Sequence, residues 1–233
     1  PDPVVRSRAL VYVSFLGEEE AKKKVTKMMR DKSALVRADV AVRIPRMMGD
    51  DSASMLLAMG ADGDAVVRMA ALAGLPSARR GAKDAAPEGI VKWVDGALAD
   101  SDWRVRGAAV DAVPSLKLEA KESYGLLRPL LEGNDRYLKA RALLAASRSC
   151  FEEAEKAITA AEASDDKLLA AMAKQAGRYV RLMKKGIDPG DFDRLRAEAD
   201  RAIHAGENEK CVELYLKVLE INPHDSHSQY NLS

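Results

Sequence analysis

Leu98-Ala99-Asp100-Ser101-Asp102-Trp103-Arg104-Val105-Arg106-Gly107-Ala108-Ala109-Val110 is the stretch whose reading decides the fold. A short polar turn leads into an Asp, then a Val-Arg pair, then small residues. The same order returns along the chain as Val4-Val5-Arg6-Ser7, Leu35-Val36-Arg37-Ala38 and Val66-Val67-Arg68-Met69. It returns more loosely as Tyr137-Leu138-Lys139-Ala140 and Lys167-Leu168-Leu169-Ala170. The apolar anchors Val5, Val36, Val67, Val105, Leu138 and Leu168 lie 31, 31, 38, 33 and 30 residues apart. Self-similarity at a period of this size marks a stacked array of supersecondary units.

The register extends beyond the anchors. Val5 is followed by Ala9, Leu10, Val13 and Leu16, Val36 by Val40, Ala41, Ile44 and Met47, and Val105 by Ala109, Val110, Val113 and Leu116. Offsets of 4, 5, 8 and 11 fall on one face of an α-helix. Asp2, Ser33, Asp64, Asp102, Asp135 and Asp165 stand three residues before the anchors. Short polar side chains there predict N-caps, and the Asp residues also suit the positive end of a helix dipole. Pro45, Pro76 and Pro114 each lie nine residues after an anchor, where a proline is expected to kink or end the helix. Segments near 18–30, 51–59, 88–99, 119–132 and 151–163 carry helical apolar spacing of their own. The unit is therefore helix–turn–helix. Abundant Ala and only 5% aromatic residues also favour an all-α fold.

The Asp–Trp–Arg–Val–Arg string and its copies resemble the HEAT-repeat signature, in which an Arg directly follows the anchor valine. The matching residues are Arg6, Arg37, Arg68 and Arg106, weakening to Lys139 and Leu169. The resemblance covers about residues 1–185, roughly six units of a bacterial-type HEAT array. It implies an armadillo-like α-solenoid with an extended concave surface. On this reading Arg6, Arg37, Arg68 and Arg106 are structural, each reaching a capping carboxylate such as Asp64 or Asp102 in its own or a neighbouring turn. Past Lys184–Asp191 the pattern changes. Leu195, Ala199 and Ala202, then Gly206, then Cys211, Tyr215 and Val218, then Pro223 are similar to a tetratricopeptide (TPR) unit over 191–233. Gln229–Ser233 resembles the opening of a further TPR helix. Beginning at Pro1-Asp2-Pro3 without Met and stopping within a repeat, the chain reads as a piece of a longer protein.

The function classes narrow from here. Lys plus Arg number 37 against 36 Asp plus Glu, a net charge of +1, which gives no large field for steering to nucleic acid. Candidate contact residues are Lys23 and Lys27 on a basic helix, Arg79, Arg80 and Lys83 in the seven-residue excess between the third and fourth anchors, and Lys92 with Trp93. Each also has a plainer reading as solvated surface, long turn or hairpin packing. Trp103 is expected to pack over the inter-repeat turn. His204, His224 and His227 are the only histidines, so the array lacks the usual catalytic base. With Cys211 and Asp225 they form no recognised metal spacing. No P-loop or GxGxxG string is present. Cys150 and Cys211 make no disulfide framework, and no apolar run approaches the roughly 20 residues that cross a bilayer. The expectation is a non-enzymatic scaffold without cofactor or metal. It would bind protein partners on the concave face and in the TPR groove, within a larger assembly, in the cytoplasm unless a missing N-terminus directs export. The alternatives are a nucleic-acid-binding HEAT-like protein and an accessory subunit of a lyase-type enzyme.

Overall fold

A computed structural model describes residues 2–13 and 15–232. Among them the chain is all-α, without a strand. Six helices opened by the repeated motif are α1 (Pro3–Val13), α3 (Ala34–Met47), α5 (Ala65–Ala78), α7 (Trp103–Ala112), α9 (Arg136–Ser149) and α11 (Lys167–Lys184). Between them lie α2 (Glu18–Met28), α4 (Ser52–Met59), α6 (Glu88–Leu98), α8 (Ala120–Glu132) and α10 (Phe151–Glu162). Three more follow: α12 (Phe192–His204), α13 (Asn208–Ile221) and α14 (Ser226–Asn231).

The turn residues start these helices largely as the spacing predicts. Carboxylates of Asp2, Asp64, Asp102 and Asp135 accept from the backbone N–H of Val4, Val66, Arg104 and Tyr137, satisfying donors that a helix start leaves without partners. Two expectations need correction. Ser33 makes no side-chain cap; instead Asp31 accepts from the Ser33 N–H at 2.8 Å. At α11 the cap is Asp166, not Asp165, with one carboxylate oxygen accepting from Leu168 and Leu169. The prolines also act less uniformly than expected. α3 and α5 run two residues past Pro45 and Pro76, and only at Pro114 does α-helix give way to a 3-10 turn, Val113–Leu116. A proline so near the C-terminal end of a helix interrupts a single i→i−4 bond.

The odd-numbered helices α1 to α11 pack on one another in series, and each of α2, α4, α6, α8 and α10 packs on the odd helix after it. This is an α-solenoid of stacked hairpins. Ridge-forming residues fill the seam: Val36, Val67 and Val105 are completely buried, as are Ala41, Ala71 and Ala109. In α1 the corresponding Val5 is 59% exposed, because among the described residues no helix packs on its outer side. Gly74 lets α5 approach closely. A Cβ there would lie 3.3 Å from the Ala41 carbonyl, the group that Pro45 cannot serve. A separate core of Leu182, Ile187, Leu195, Ala199, Leu214, Tyr215 and Val218 joins α12 and α13 to the end of α11. Arg178 of α11 donates to the carbonyls of Glu220 and Ile221 at the end of α13, fastening that unit to the array.

The repeated arginines build a ladder. Arg6 donates through Nε and Nη2 to both oxygens of Asp31 at 2.7 Å. Arg37 does the same to Asp62 at 2.7 and 2.8 Å, and Arg68 to Asp100 at 2.8 and 2.9 Å. The acceptors are the Asp residues two positions before the caps, not the capping carboxylates the sequence suggested. Each also accepts a backbone N–H, from Ser33, Asp64 and Asp102, so one carboxylate fixes the turn and ties it to the preceding unit. Arg37, Arg68 and Arg106 reach back through Nη1 to the carbonyls of Asp31, Asp62 and Asp100. The ladder loosens at Arg106, because Gly133 occupies the place of the next Asp; Arg106 comes only within 3.9 Å of Asp135. No helix among the described residues is long and apolar enough to cross a membrane.

Candidate binding groove

The faces of the odd helices are small where they pass one another. Ala73 of α5, Gly107 and Ala108 of α7 and Ala140 of α9 form the floor of an open groove of about 770 Å³ running from α5 to α11. Its walls carry larger apolar groups, including Met69, Pro76 and Met172. Two aromatic residues stand at the starts of α7 and α9: Trp103 and Tyr137, each 64% exposed. A second hollow of about 630 Å³ continues across α1, α3 and α5, between Val42, Arg43, Arg46 and Ala73.

The polar groups of the first groove are few and placed. Asp111 pairs with Arg141, whose guanidinium lies across Gly107, where a Cβ would sit 3.3 Å from its Nε. Although its side chain is half exposed, Asp111 is recessed between the helices. This burial raises its carboxyl above the usual range in spite of the facing Arg141. Arg104 is held at the rim by Asp102 through Nε at 3.0 Å and Nη2 at 2.6 Å. That contact and the Arg104 N–H bring the Asp102 carboxyl down to about 2. One face of Tyr137 is taken by Arg136, 5.4 Å from the ring centroid. This constellation offers an apolar surface, aromatic edges and charge, with no nucleophile–base pair among the lining residues.

The residues singled out from sequence lie elsewhere, on three separate elements. Lys23 and Lys27 are exposed on α2, beside a shallow hollow shared with Ala9 and Arg30. Arg80 and Lys83 are exposed in the 79–87 loop. Arg79 is not free to contact a partner: its Nε donates to the Ser115 carbonyl at 2.9 Å and its Nη2 to that of Asp84 at 2.8 Å. With Ala86 N–H donating to Leu116 O at 2.7 Å, this docks the loop on the 3-10 turn. Lys92 pairs with Glu88 on the surface of α6. Trp93 is a packing residue, half-buried between the two array cores. It fills the space beside Gly60, where a Cβ would come within 2.1 Å of its indole nitrogen.

Trp103 reverses its expected role. The tryptophan follows its cap outward to the groove, while the shorter Val105 two residues on takes the buried site. The missed signal was in the register: the first turns of the odd helices hold exposed Val4, Leu35, Val66, Trp103 and Tyr137, where an amphipathic pattern calls for polar residues.

The histidines serve the C-terminal unit. His227 Nε2 lies 2.6 Å from Asp200 Oδ1, which also accepts from Tyr215 Oη at 2.5 Å, while Asn231 donates to that hydroxyl at 3.0 Å. The network fastens α14 to α12 and α13. Cys150 and Cys211 are free and buried; burial pushes the Cys150 thiol up to about 11. No protein-family model matches the chain, and no curated protein sequence matches it significantly.

Proposed function

We propose that the chain is a non-enzymatic protein-binding scaffold, a HEAT-type array joined to a TPR-type unit, and that it holds a peptide segment of its partner in the groove across α5, α7, α9 and α11. The observation that carries the reading is the groove itself. Trp103 and Tyr137 are exposed over an apolar floor on rigid helices, and aromatic anchors of this kind dominate the energetics of protein interfaces. Extended surfaces with contacts spread along stacked units are what such arrays provide. The ladder arginines support the protein-binding reading over nucleic-acid binding, since Arg6, Arg37 and Arg68 are engaged by Asp31, Asp62 and Asp100 and have little charge left for phosphates.

The test compares partner capture by the wild-type chain and a Trp103→Ala, Tyr137→Ala variant, both checked for an unchanged helical spectrum. Proteins retained by the first and lost by the second support the groove as the docking site. An identical set on both sinks it.

A further inference from the structure

We propose that the α1–α2 end of the array is a second docking surface, and that its occupant is an acidic amphipathic helix of a partner protein. This surface is separate from the groove across α5 to α11 and does not depend on it.

Its apolar half is the row Val5, Ala9 and Tyr12, exposed along α1 at a spacing that falls on one helix face. Phe15, in the turn beyond, is exposed too. From α3 to α9 the equivalents of Val5 and Ala9 are buried, as with Val36 and Val40 or Val105 and Ala109, and each of those helices packs on the odd helix before it. The array itself thus shows what this register is shaped to receive: a helix laid along it with an apolar ridge of its own.

The charged half selects the chemistry. Beside Ala9 lies a hollow of about 760 Å³ lined by four cations, Arg6, Lys23, Lys27 and Arg30, and one anion, Asp31. Both oxygens of Asp31 are held by Arg6. Lys23, Lys27 and Arg30 are exposed and make no ion pair among the described residues. The other carboxylates of this end are committed or distant. Asp2 caps α1, Glu20 pairs with Lys24 and Asp51 with Lys22, and Glu18 and Glu19 lie at the opposite, N-terminal end of α2. Lys23 and Lys27 stand four residues apart and Lys27 and Arg30 three, the spacings at which like charges on a helix repel. Asp or Glu beside the apolar residues of an incoming helix would relieve that repulsion and fix its orientation. A second copy laid face to face would bring the same cations together. A flat bilayer would not reach into a hollow floored by Ala9 between two helices, whereas the ridge of a helix does.

The test is selection of a displayed library of single Ala-rich helices, roughly 18 residues long so that they hold their fold and randomised on one face. Selection is on the full chain, with depletion on a Val5→Ser, Tyr12→Ser variant. Both positions are exposed, so this variant should keep its helical spectrum. Enriched helices should carry apolar residues at i, i+4 and i+7, with at least about threefold more Asp plus Glu than Lys plus Arg. An enriched helix should bind about tenfold more weakly to a Lys23→Gln, Lys27→Gln, Arg30→Gln variant, the combined effect of three exposed charge pairs. It should bind the Trp103→Ala, Tyr137→Ala variant as tightly as the wild type, which separates this surface from the groove. Enriched helices that are neutral or basic overturn the inference, as does a set that survives depletion on the serine variant or no enrichment at all. Tighter binding of phosphatidylserine-containing vesicles or of a short DNA duplex through the same three cations would overturn it in favour of a phosphate surface. Self-association of the chain that the serine variant abolishes would overturn it in favour of a second copy.

Discussion

Arg37 is the best place to measure what the ladder contributes, since it bonds both oxygens of Asp62 and also the Asp31 carbonyl. Hydrogen bonds to charged groups contribute about 1.5–3 kcal/mol, so Arg37→Ala should cost about 2 kcal/mol in urea unfolding. Arg106→Ala should cost clearly less, because its carboxylate is 3.9 Å away. Equal losses would show that the bidentate pairs add nothing beyond the turn carbonyls. The same residues set the acid limit of the fold. Asp31 is brought from 3.8 to about 2, first by the Arg6 side chain and then by the Ser33 N–H, and Asp62 and Asp100 are lowered by Arg37 and Arg68. Their folded values lie below the unfolded ones. The ionised carboxylates therefore favour the fold at all pH above about 4, and that contribution is lost as pH falls through about 2. Melting temperature should be flat from pH 7 to about 5 and then drop steeply; an Asp31→Asn variant should drop less. Gly60 gives an opposite lesson. Ala is the better helix former, but the space is filled by Trp93, so Gly60→Ala should destabilise by about 1–3 kcal/mol; a stabilised variant would mean that Trp93 swings aside freely.

At the scale of elements, the sequence reads well where one local rule decides. The helices between the motif copies begin and end within two residues of the segments that apolar spacing marks out, because caps and an amphipathic face are local properties. It reads poorly where geometry between units decides. The acceptor of each ladder Arg lies 25 to 32 residues away, and only the stacking angle chooses Asp62 over the cap Asp64. Likewise Trp103 and Val105 are both apolar, and which one enters the core depends on the neighbouring helix. Asp111 and Arg141 carry no motif at all; they meet because α7 packs on α9. The 79–87 loop shows the same limit, since its length was legible but its docking on Val113–Leu116 was not. Arg79→Ala should release it. Hydrogen exchange at the Ala86 amide, now bonded to Leu116 O, should quicken by about tenfold or more, the loss expected for one good hydrogen bond to a charged group. An unchanged rate would show that the Ala86–Leu116 bond alone fixes the loop.

The whole molecule behaves as a one-dimensional stack, whose stability is the sum of units and the interfaces between neighbours. Its first hairpin therefore exposes what the next four bury. Val5 is 59% exposed, whereas Val36, Val67 and Val105 at the same register are fully covered, and Ala9 is exposed where Ala71 and Ala109 are buried. Among the described residues, α1 meets neither a preceding helix nor a ladder Asp placed before it, the two kinds of contact that join the other units. Placing a second copy of Ser33–Gly63 immediately before Asp2 would supply both in register. The duplicated α3 would cover Val5 and Ala9, and the duplicated Asp62 would stand two residues before the cap Asp2, in reach of the duplicated Arg37. Covering one valine stabilises by about 1.5–3 kcal/mol, so the extended chain should gain at least about 2 kcal/mol. Urea unfolding measures this, with a raised midpoint and a larger m-value from the added buried surface. If the midpoint stays where it is while the m-value falls, the added hairpin has not joined the cooperative unit, and the open face of α1 is not a stacking surface.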